Sequence, residues 1–211
     1  LDIPAFFSAS KIVTNGGFEA LTYNPKTHKF WTTTENTLRA DGATASPNHP
    51  GTVNRLRLQS FNDDLQAGAQ YAYKMDKGTV NKPAQNYAMG VADMAALDNG
   101  ILLVLERELY VAPKKFGSFV KNKLYSVDTN TSQQIDNDKP LTDASPYMVK
   151  HLLVEWKTSL TLFHQDFANY EGMCLGPKLN DGSQVLILCA DSQNQYGGIL
   201  RDWFRTIVFR Y

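Results

Sequence analysis

A threefold internal repeat constrains the fold of this chain more than any other feature of its sequence. Each copy combines an acidic residue in a small or apolar stretch, a tight turn, an apolar strand and a second acidic residue. The copies occupy residues 17–35, 90–107 and 169–191, at a nearly constant spacing. A repeat of this length, with four short strands in each period, is typical of architectures built from one recurring sheet.

Short apolar or alternating runs bounded by Gly, Asn, Asp and Pro make up most of the chain, and long helical periodicity is hard to find. This pattern predicts a mostly antiparallel all-β protein. Strands are expected at 18–24, 29–35, 53–61, 69–75, 91–97, 101–107, 122–127, 148–156, 170–175, 185–191 and 205–211.

The strand content predicts a β-propeller of about three four-stranded blades, near 17–76, 90–156 and 169–211, within a single partial domain at 1–211. The third blade lacks its outer strand, and the segment 1–8 is expected to be an outer strand of a neighbouring blade. A closed propeller typically has about four to eight blades. We therefore expect part of a longer, six-bladed propeller, or closure by a second copy of the chain.

Composition excludes several classes of function. The chain has 21 Lys plus Arg and 21 Asp plus Glu, so its formal net charge of zero argues against a nucleic-acid-binding domain. Its longest aliphatic run, 101–105, is far shorter than the roughly 20 apolar residues of a membrane-spanning helix. There is no starting Met and no leader pattern, so a mature chain or a fragment is expected.

The turns of the three hairpins predict opposed pairs of acidic residues. Asn99-Gly100 is a typical two-residue type I′ turn, and three-residue loops are expected at 26–28 and 180–182. The resulting pairs are Glu19 with Glu35, Asp93 with Glu106, and Glu171 with Asp191. A two-residue Asp181-Gly182 turn is the alternative, and it would place Cys174 opposite Cys189. In the preferred register the two cysteines lie on opposite faces and stay thiols.

Opposed like charges repel, so a cation or a proton must offset these pairs. If the repeated strands are the inner strands of blades, the six acids meet at one end of the central channel. Oxygen ligands without His or Cys suit Ca²⁺, with Mg²⁺ as second choice. The alternative is structural: the acids bind backbone N–H groups or pair with arginines, for which the candidates are Arg39, Arg55, Arg107 and Arg201.

Cations lie near the predicted acid ring. The loop at 108–121 carries Lys114, Lys115 and Lys121, and Arg107 precedes it. These side chains suit a small anionic or phosphorylated ligand, with Arg107 as a phosphate clamp. No G-x-S-x-G motif is present, so a serine hydrolase of the α/β type is not predicted.

Three motifs within the repeats resemble those of the phytase-like family of bacterial proteins, described as having esterase-like activity of phytase. The segments G-F-E-A-L at 17–21, L-V-L-E-R at 103–107 and N-Y-E-G-M at 169–173 correspond to G-F-E-G-L, L-V-L-E-R and N-Y-E-G-L in the family. The resemblance spans almost the whole chain. It implies an exported β-propeller, secreted or periplasmic, that is longer than this chain and hydrolyses esters or phosphoesters.

The leading hypothesis is therefore a propeller whose acids bind Ca²⁺, so that a metal-bound water attacks a phosphate ester held by Arg107. The alternative is a noncatalytic propeller that uses the same face to bind a protein, a glycan or a surface ligand.

Overall fold

The computed structural model describes residues 3–49 and 51–211, and nearly all regular structure in them is β-strand. Single turns of 3-10 helix occur at Ala5–Phe7 and Tyr196–Gly198, and within the described residues no helix is long and apolar enough to span a bilayer. The strands are β1 (Phe18–Asn24), β2 (Lys29–Thr34), β3 (Arg55–Asn62), β4 (Ala67–Lys74), β5 (Asn86–Ala96), β6 (Ile101–Val111), β7 (Phe119–Asp128), β8 (Lys150–Ser159), β9 (Tyr170–Lys178), β10 (Gln184–Ala190) and β11 (Phe204–Phe209).

The predicted all-β class is confirmed, and every predicted strand has a counterpart. The strands of the middle repeat are longer than expected, because β5 begins at Asn86 and β6 continues to Val111. The prediction of an outer strand at 1–8 was wrong for the residues described there. Ala5–Phe7 form a helical turn that buries Phe6 and Phe7 against Leu38, and residues 1 and 2 lie outside the described part of the chain.

The strands form three separate antiparallel sheets, each from one continuous segment of the chain. The first sheet has the order β1-β2-β3-β4, the second β5-β6-β7-β8, and the third β9-β10-β11. Neighbours in the sheet are neighbours in sequence, so each sheet is a meander. None of the three sheets closes on itself. Within the described residues the third sheet has three strands, as the sequence pattern predicts.

The second sheet packs between the other two. Its first strand, β5, contacts both β1 and β9. One apolar layer, which includes Leu58 and Val91, lies between the first and second sheets, and another, which includes Leu105 and Leu188, lies between the second and third. Strand β6 is buried on both faces along nearly its whole length. The strand continues past the apolar run at 102–105 through three buried charged residues, Glu106, Arg107 and Glu108.

The edge of the first sheet is covered by the long connection between β7 and β8. Ile135 N donates to Gln70 O (3.0 Å) and Met148 N donates to Ala72 O (2.9 Å), so this connection extends the sheet beyond β4. A covered edge cannot pair with another chain. The same connection therefore protects the first sheet and ties it to the second.

The turn of the second hairpin differs from the predicted type. Leu97 N donates to Ile101 O (2.8 Å), and Gly100 has a φ of +87°. Residues 98–100 therefore form a three-residue loop with glycine at the left-handed bulge position, as residues 180–182 do in the third hairpin. The register moves by one residue, and Asp93 lies opposite Leu105 rather than opposite Glu106.

Each of the three hairpins also has a β-bulge near its acidic residues. The unpaired residue is Glu19 in β1, Ala92 in β5 and Glu171 in β9. In the first hairpin the loop has four residues, 25–28, rather than the three expected. A bulged residue has no direct partner on the next strand, so Glu19 and Glu171 are not directly opposed to Glu35 and Asp191. In the second hairpin the turn alone displaces Asp93 from Glu106.

The two cysteines lie on the same face of the third sheet, so their predicted placement on opposite faces was wrong. Cys174 lies opposite Ile187 and Cys189 lies opposite Gly172, which makes the two thiols diagonal neighbours. The cause is a second bulge in β9, between Leu175 and Lys178, that shifts the register by one residue. Both thiols are free and exposed.

Gly90 provides a test of how closely the first two sheets approach. A Cβ added there would lie 2.5 Å from the backbone oxygen of Glu35. We expect Gly90→Ala to lower the free energy of unfolding by about 1–3 kcal/mol, because the backbone of the neighbouring sheet has to move. Urea denaturation measures the change.

The control is Gly17→Ala, at the equivalent position of the first repeat, where the nearest atom to the new Cβ is 3.9 Å away. We expect its unfolding free energy to stay within about 0.5 kcal/mol of the wild-type value. Equal losses in the two variants would contradict the close approach at Gly90.

Candidate functional site

Arg107 lies where the three sheets meet. It is in the middle of β6, between Glu106 and Glu108, and alternation along the strand directs its side chain to the opposite face from theirs. Its side chain is only 5% exposed. A buried guanidinium requires acceptors for its N–H groups, and these come from the two neighbouring sheets.

Three acceptors surround the guanidinium. Nη2 donates to Glu35 Oε1, and Nη1 donates to Glu171 Oε1 and to Asn169 Oδ1, the last at 3.0 Å. Glu35 directly follows β2 of the first sheet, whereas Asn169 and Glu171 lie at the start of the third. One arginine of the second sheet therefore links all three sheets.

The repeat explains this arrangement. Position by position, the middle hairpin carries an arginine and an alanine where the outer hairpins each carry two acids. The backbone pairing makes Glu35, Arg107 and Asp191 equivalent, the first and last just after a strand and Arg107 within the longer β6. The equivalent bulge residues are Glu19, Ala92 and Glu171. The positive charge thus lies between two acidic hairpins.

Four of the six predicted acids lie in this region. Glu35 is close enough to Glu19 for that carboxylate to raise its pKa, and Asp191 raises the pKa of Glu171 in the same way. The first and third predicted pairs are therefore close in space, although neither is directly opposed across its hairpin.

Asp93 lies elsewhere and has a structural environment. Its Oδ2 accepts from Met173 N (2.6 Å) and its Oδ1 from Met94 N (2.8 Å). The first of these bonds joins the second sheet to the third. This is the backbone-bound role that the sequence left open as an alternative.

Glu106 belongs to a separate ion cluster between the first and second sheets. Its Oε1 accepts from Tyr73 Oη (2.7 Å) and from Lys150 Nζ (2.6 Å). Lys150 Nζ also lies 2.8 Å from Asp76 Oδ1, and Lys123 pairs with the same aspartate. Asp93 and Glu106 are therefore on opposite faces of the sheet, and their predicted pairing was wrong.

A cavity of about 610 Å³ opens beside Arg107. Three carboxyl groups, those of Glu19, Glu35 and Glu171, form part of its wall. The rest of the wall is mostly amide and hydroxyl groups, which include those of Thr14, Asn36, Thr44, Asn86, Tyr87 and Gln193. The cavity is large enough for a small organic ligand.

Burial shifts the titration of the two carboxyl groups that contact Arg107. It raises the pKa of Glu35 in spite of the opposing charge of Arg107, and Glu19 and Glu171 raise it further. Burial also raises the pKa of Glu171, again against Arg107, and Asp191 adds to the increase. Carboxyl groups with raised pKa values are suited to proton transfer closer to neutral pH.

The predicted basic loop does not contribute to this wall. Lys115 Nζ donates to Gly197 O (2.9 Å), and Lys121 belongs to β7, where its Nζ lies 3.1 Å from Glu155 Oε1. Arg107 is the one cationic side chain among the described residues that line the cavity.

The predicted calcium site does not fit this arrangement. Arg107 already compensates the carboxylates of Glu35 and Glu171, and Asp93 and Glu106 are bound elsewhere. In residues 3–49 and 51–211, no group of three or more His, Cys, Asp or Glu side chains is arranged to hold a metal ion. The structure gives no support to calcium binding, which stays a prediction from the sequence alone.

The sequence argument missed Asn169 and the equivalence of Ala92 with Glu19 and Glu171. Aligning the copies on Gly17, Gly90 and Asn169, instead of on the acids, was the signal available for both. The hairpin loops differ in length, so only the backbone pairing of Gly17 with Glu35, Gly90 with Arg107 and Asn169 with Asp191 shows that Arg107 is equivalent to Glu35 and Asp191.

Asp93 predicts a pH dependence of stability. Burial raises its pKa to about 6, although the N–H groups of Met173 and Met94 lower it. With a raised pKa in the folded state, the unfolded chain ionises first, so stability falls as the pH rises from about 4 to about 6. We expect the unfolding free energy of Asp93→Asn, relative to wild type, to increase by about 2 kcal/mol between pH 4 and pH 7.

Urea denaturation at the two pH values measures this difference. Thr22→Val is the control, because Thr22 Oγ1 also accepts a backbone N–H from a neighbouring sheet, that of Ala96 (3.0 Å), but does not titrate. Its difference from wild type should be the same at both pH values. A constant difference for Asp93→Asn as well would show that the carboxyl titrates normally.

Calcium binding is tested by calorimetric titration of the chelator-treated protein. We expect no stoichiometric heat, because the guanidinium of Arg107 is already paired with Glu35 and Glu171. Stoichiometric binding that disappears in Glu35→Gln, but not in the control Glu155→Gln, would instead support the calcium hypothesis.

The comparisons with known proteins agree with the motifs of the repeats. No curated protein and no solved structure matches the chain. A family model, Phytase-like, described as esterase-like activity of phytase, matches residues 1–193. Because this match covers most of the 211 residues, the chain belongs to the phytase-like family.

Proposed function

We propose that the three sheets are successive blades of a β-propeller. The support is their order along the chain, their meander topology and the contacts of β5 with both β1 and β9. The outer faces of the first and third sheets expose large apolar side chains, with Leu21 67% and Phe204 80% exposed. Further blades, from a longer chain or a second copy, would cover these faces.

The function that the site supports best is hydrolysis of a small ester, phosphorylated or carboxylic, in the cavity beside Arg107. The observation that carries this proposal is a buried guanidinium held between two carboxyl groups of raised pKa in the cavity wall. Ester hydrolysis needs both components, because negative charge develops on an oxygen while protons move to and from other oxygens. Membership of the phytase-like family supports the same reaction class.

Each residue has a distinct role in this proposal. Arg107 stabilises the negative charge that develops on the phosphoryl or carbonyl oxygen. Glu171, the more exposed of the two carboxyl groups, removes a proton from the attacking water. Glu35, the more buried one, donates a proton to the leaving oxygen. No step of this proposal uses a metal ion.

Export of the protein is a separate proposal, and it rests on the family resemblance.

A noncatalytic binding role is the second candidate, and the charge of the cavity favours it. Three carboxyl groups and one guanidinium line the wall, together with many amides and hydroxyls. Such a wall suits a ligand rich in hydroxyl groups better than a polyanion, which the carboxylates would repel. This candidate requires binding without turnover.

Turnover of 4-nitrophenyl phosphate and 4-nitrophenyl acetate tests the hydrolase proposal. We expect Arg107→Lys to lower kcat/KM about 100-fold, because lysine keeps the charge but loses the two-pronged contact with Glu35 and Glu171. We expect Glu171→Gln to lower kcat at least about 100-fold, because glutamine cannot accept a proton.

Glu155→Gln is the control, since this carboxylate pairs with Lys121 outside the cavity wall. Its activity should equal that of the wild type. If the wild-type protein hydrolyses neither ester, with or without added calcium, the hydrolase proposal is wrong and the binding role is preferred.

A further inference from the structure

Asn122 is a polar residue in an apolar row of β7. Its neighbours on the same face of the strand are Val120 and Leu124, both buried against the third sheet or its loops. Asn122 is itself 0% exposed, and neither its Oδ1 nor its Nδ2 has a hydrogen-bond partner. Buried amides without partners are rare in folded proteins, so this side chain requires an explanation.

Its position in the sheet supplies one. Asn122 lies directly opposite Arg107 on β6 and directly opposite Trp156 on β8. Directly opposed residues of antiparallel strands direct their side chains to the same face, with Cβ atoms about 4.5–5.5 Å apart. Arg107, Asn122 and Trp156 therefore form one buried row that faces the third sheet.

Asn122 has an unused acceptor, and each of its two neighbours in the row has an unused donor. Arg107 Nε and Trp156 Nε1 are buried and have no partner. Both Nη atoms of Arg107 are already bonded, to Glu35, Glu171 and Asn169, so Nε is the guanidinium nitrogen that the neighbouring sheets leave unbonded. Asn122 lies between the two donor residues in the row, and its Oδ1 has two lone pairs.

We propose that Asn122 is a positioning residue for Arg107: its Oδ1 accepts the Nε–H of the guanidinium, directly or through one water molecule. Leucine would fit the apolar face but would leave Nε–H without an acceptor. With this bond, the guanidinium is held from the first sheet by Glu35, from the third by Asn169 and Glu171, and from its own sheet by Asn122. The role of this bond in catalysis rests on the proposed function, whereas the existence of the bond does not.

Nuclear magnetic resonance of the arginine Nε–H groups tests the bond without any assay of activity. The Arg107 signal is assigned from its loss in Arg107→Lys, and its hydrogen-exchange rate is measured in wild type, Asn122→Leu and Asn122→Asp. We expect exchange at least about tenfold faster in Asn122→Leu, because the bond is lost. We expect protection to be retained in Asn122→Asp, with the proton signal shifted downfield by the charged acceptor.

Thr158→Val is the matched control. Thr158 is buried in the same layer and its Oγ1 donates to Ala168 O (2.9 Å), so the variant loses stability but should leave the Arg107 signal unchanged. Equal exchange rates in wild type and Asn122→Leu would overturn the proposal. If Asn122→Leu does not fold, an unshifted signal in Asn122→Asp would overturn it.

Kinetics separate this inference from the proposed function. If the wild type hydrolyses either nitrophenyl ester, we expect Asn122→Leu to lower kcat about tenfold with little change in KM, and Asn122→Asp to restore most of it. If the wild type hydrolyses neither ester, the hydrolase proposal fails, whereas the exchange rates still decide whether Asn122 holds Arg107.

Discussion

The ion pairs of Arg107 are the interaction on which the arrangement of the three sheets at the cavity depends. A guanidinium that is almost fully buried is tolerated only when its N–H groups are bonded. Here the acceptors directly follow β2 or lie at the start of the third sheet, so they meet only when all three sheets are in place. The site and the packing of the sheets are therefore one feature.

Strand β6 organises charge on both faces of the second sheet. Alternation directs Glu106 and Glu108 toward the first sheet, where Lys150 and backbone N–H groups satisfy them, and directs Arg107 toward the third. Each charge is thus buried with a partner of opposite sign or with a backbone donor. The same alternation places the ion cluster around Glu106 on the opposite face of the sheet from Arg107. Lys123 and Lys150 therefore do not compete with Arg107 for Glu35 and Glu171.

The strands, the all-β class and the sheet membership were predictable because they depend on local patterns of apolar residues and turn residues. The acid pairs were less predictable. A glycine at position 100 suits the three-residue turn that forms as well as the two-residue turn expected from Asn99-Gly100, and each bulge moves the register again. A shift of one residue reverses the face of every side chain beyond it, which is how Asp93 and Glu106 became separated.

The sequence by itself determined that this chain forms repeated antiparallel sheets and that acids recur near the same end of the first hairpin of each sheet. Only the tertiary structure decided which charges meet. Contacts between sheets depend on the register of each hairpin and on the close approach allowed by Gly90, and neither is contained in a local pattern. Burial then selected the outcome, because a guanidinium bonded to carboxylates from two other sheets costs less to bury than carboxylates facing one another.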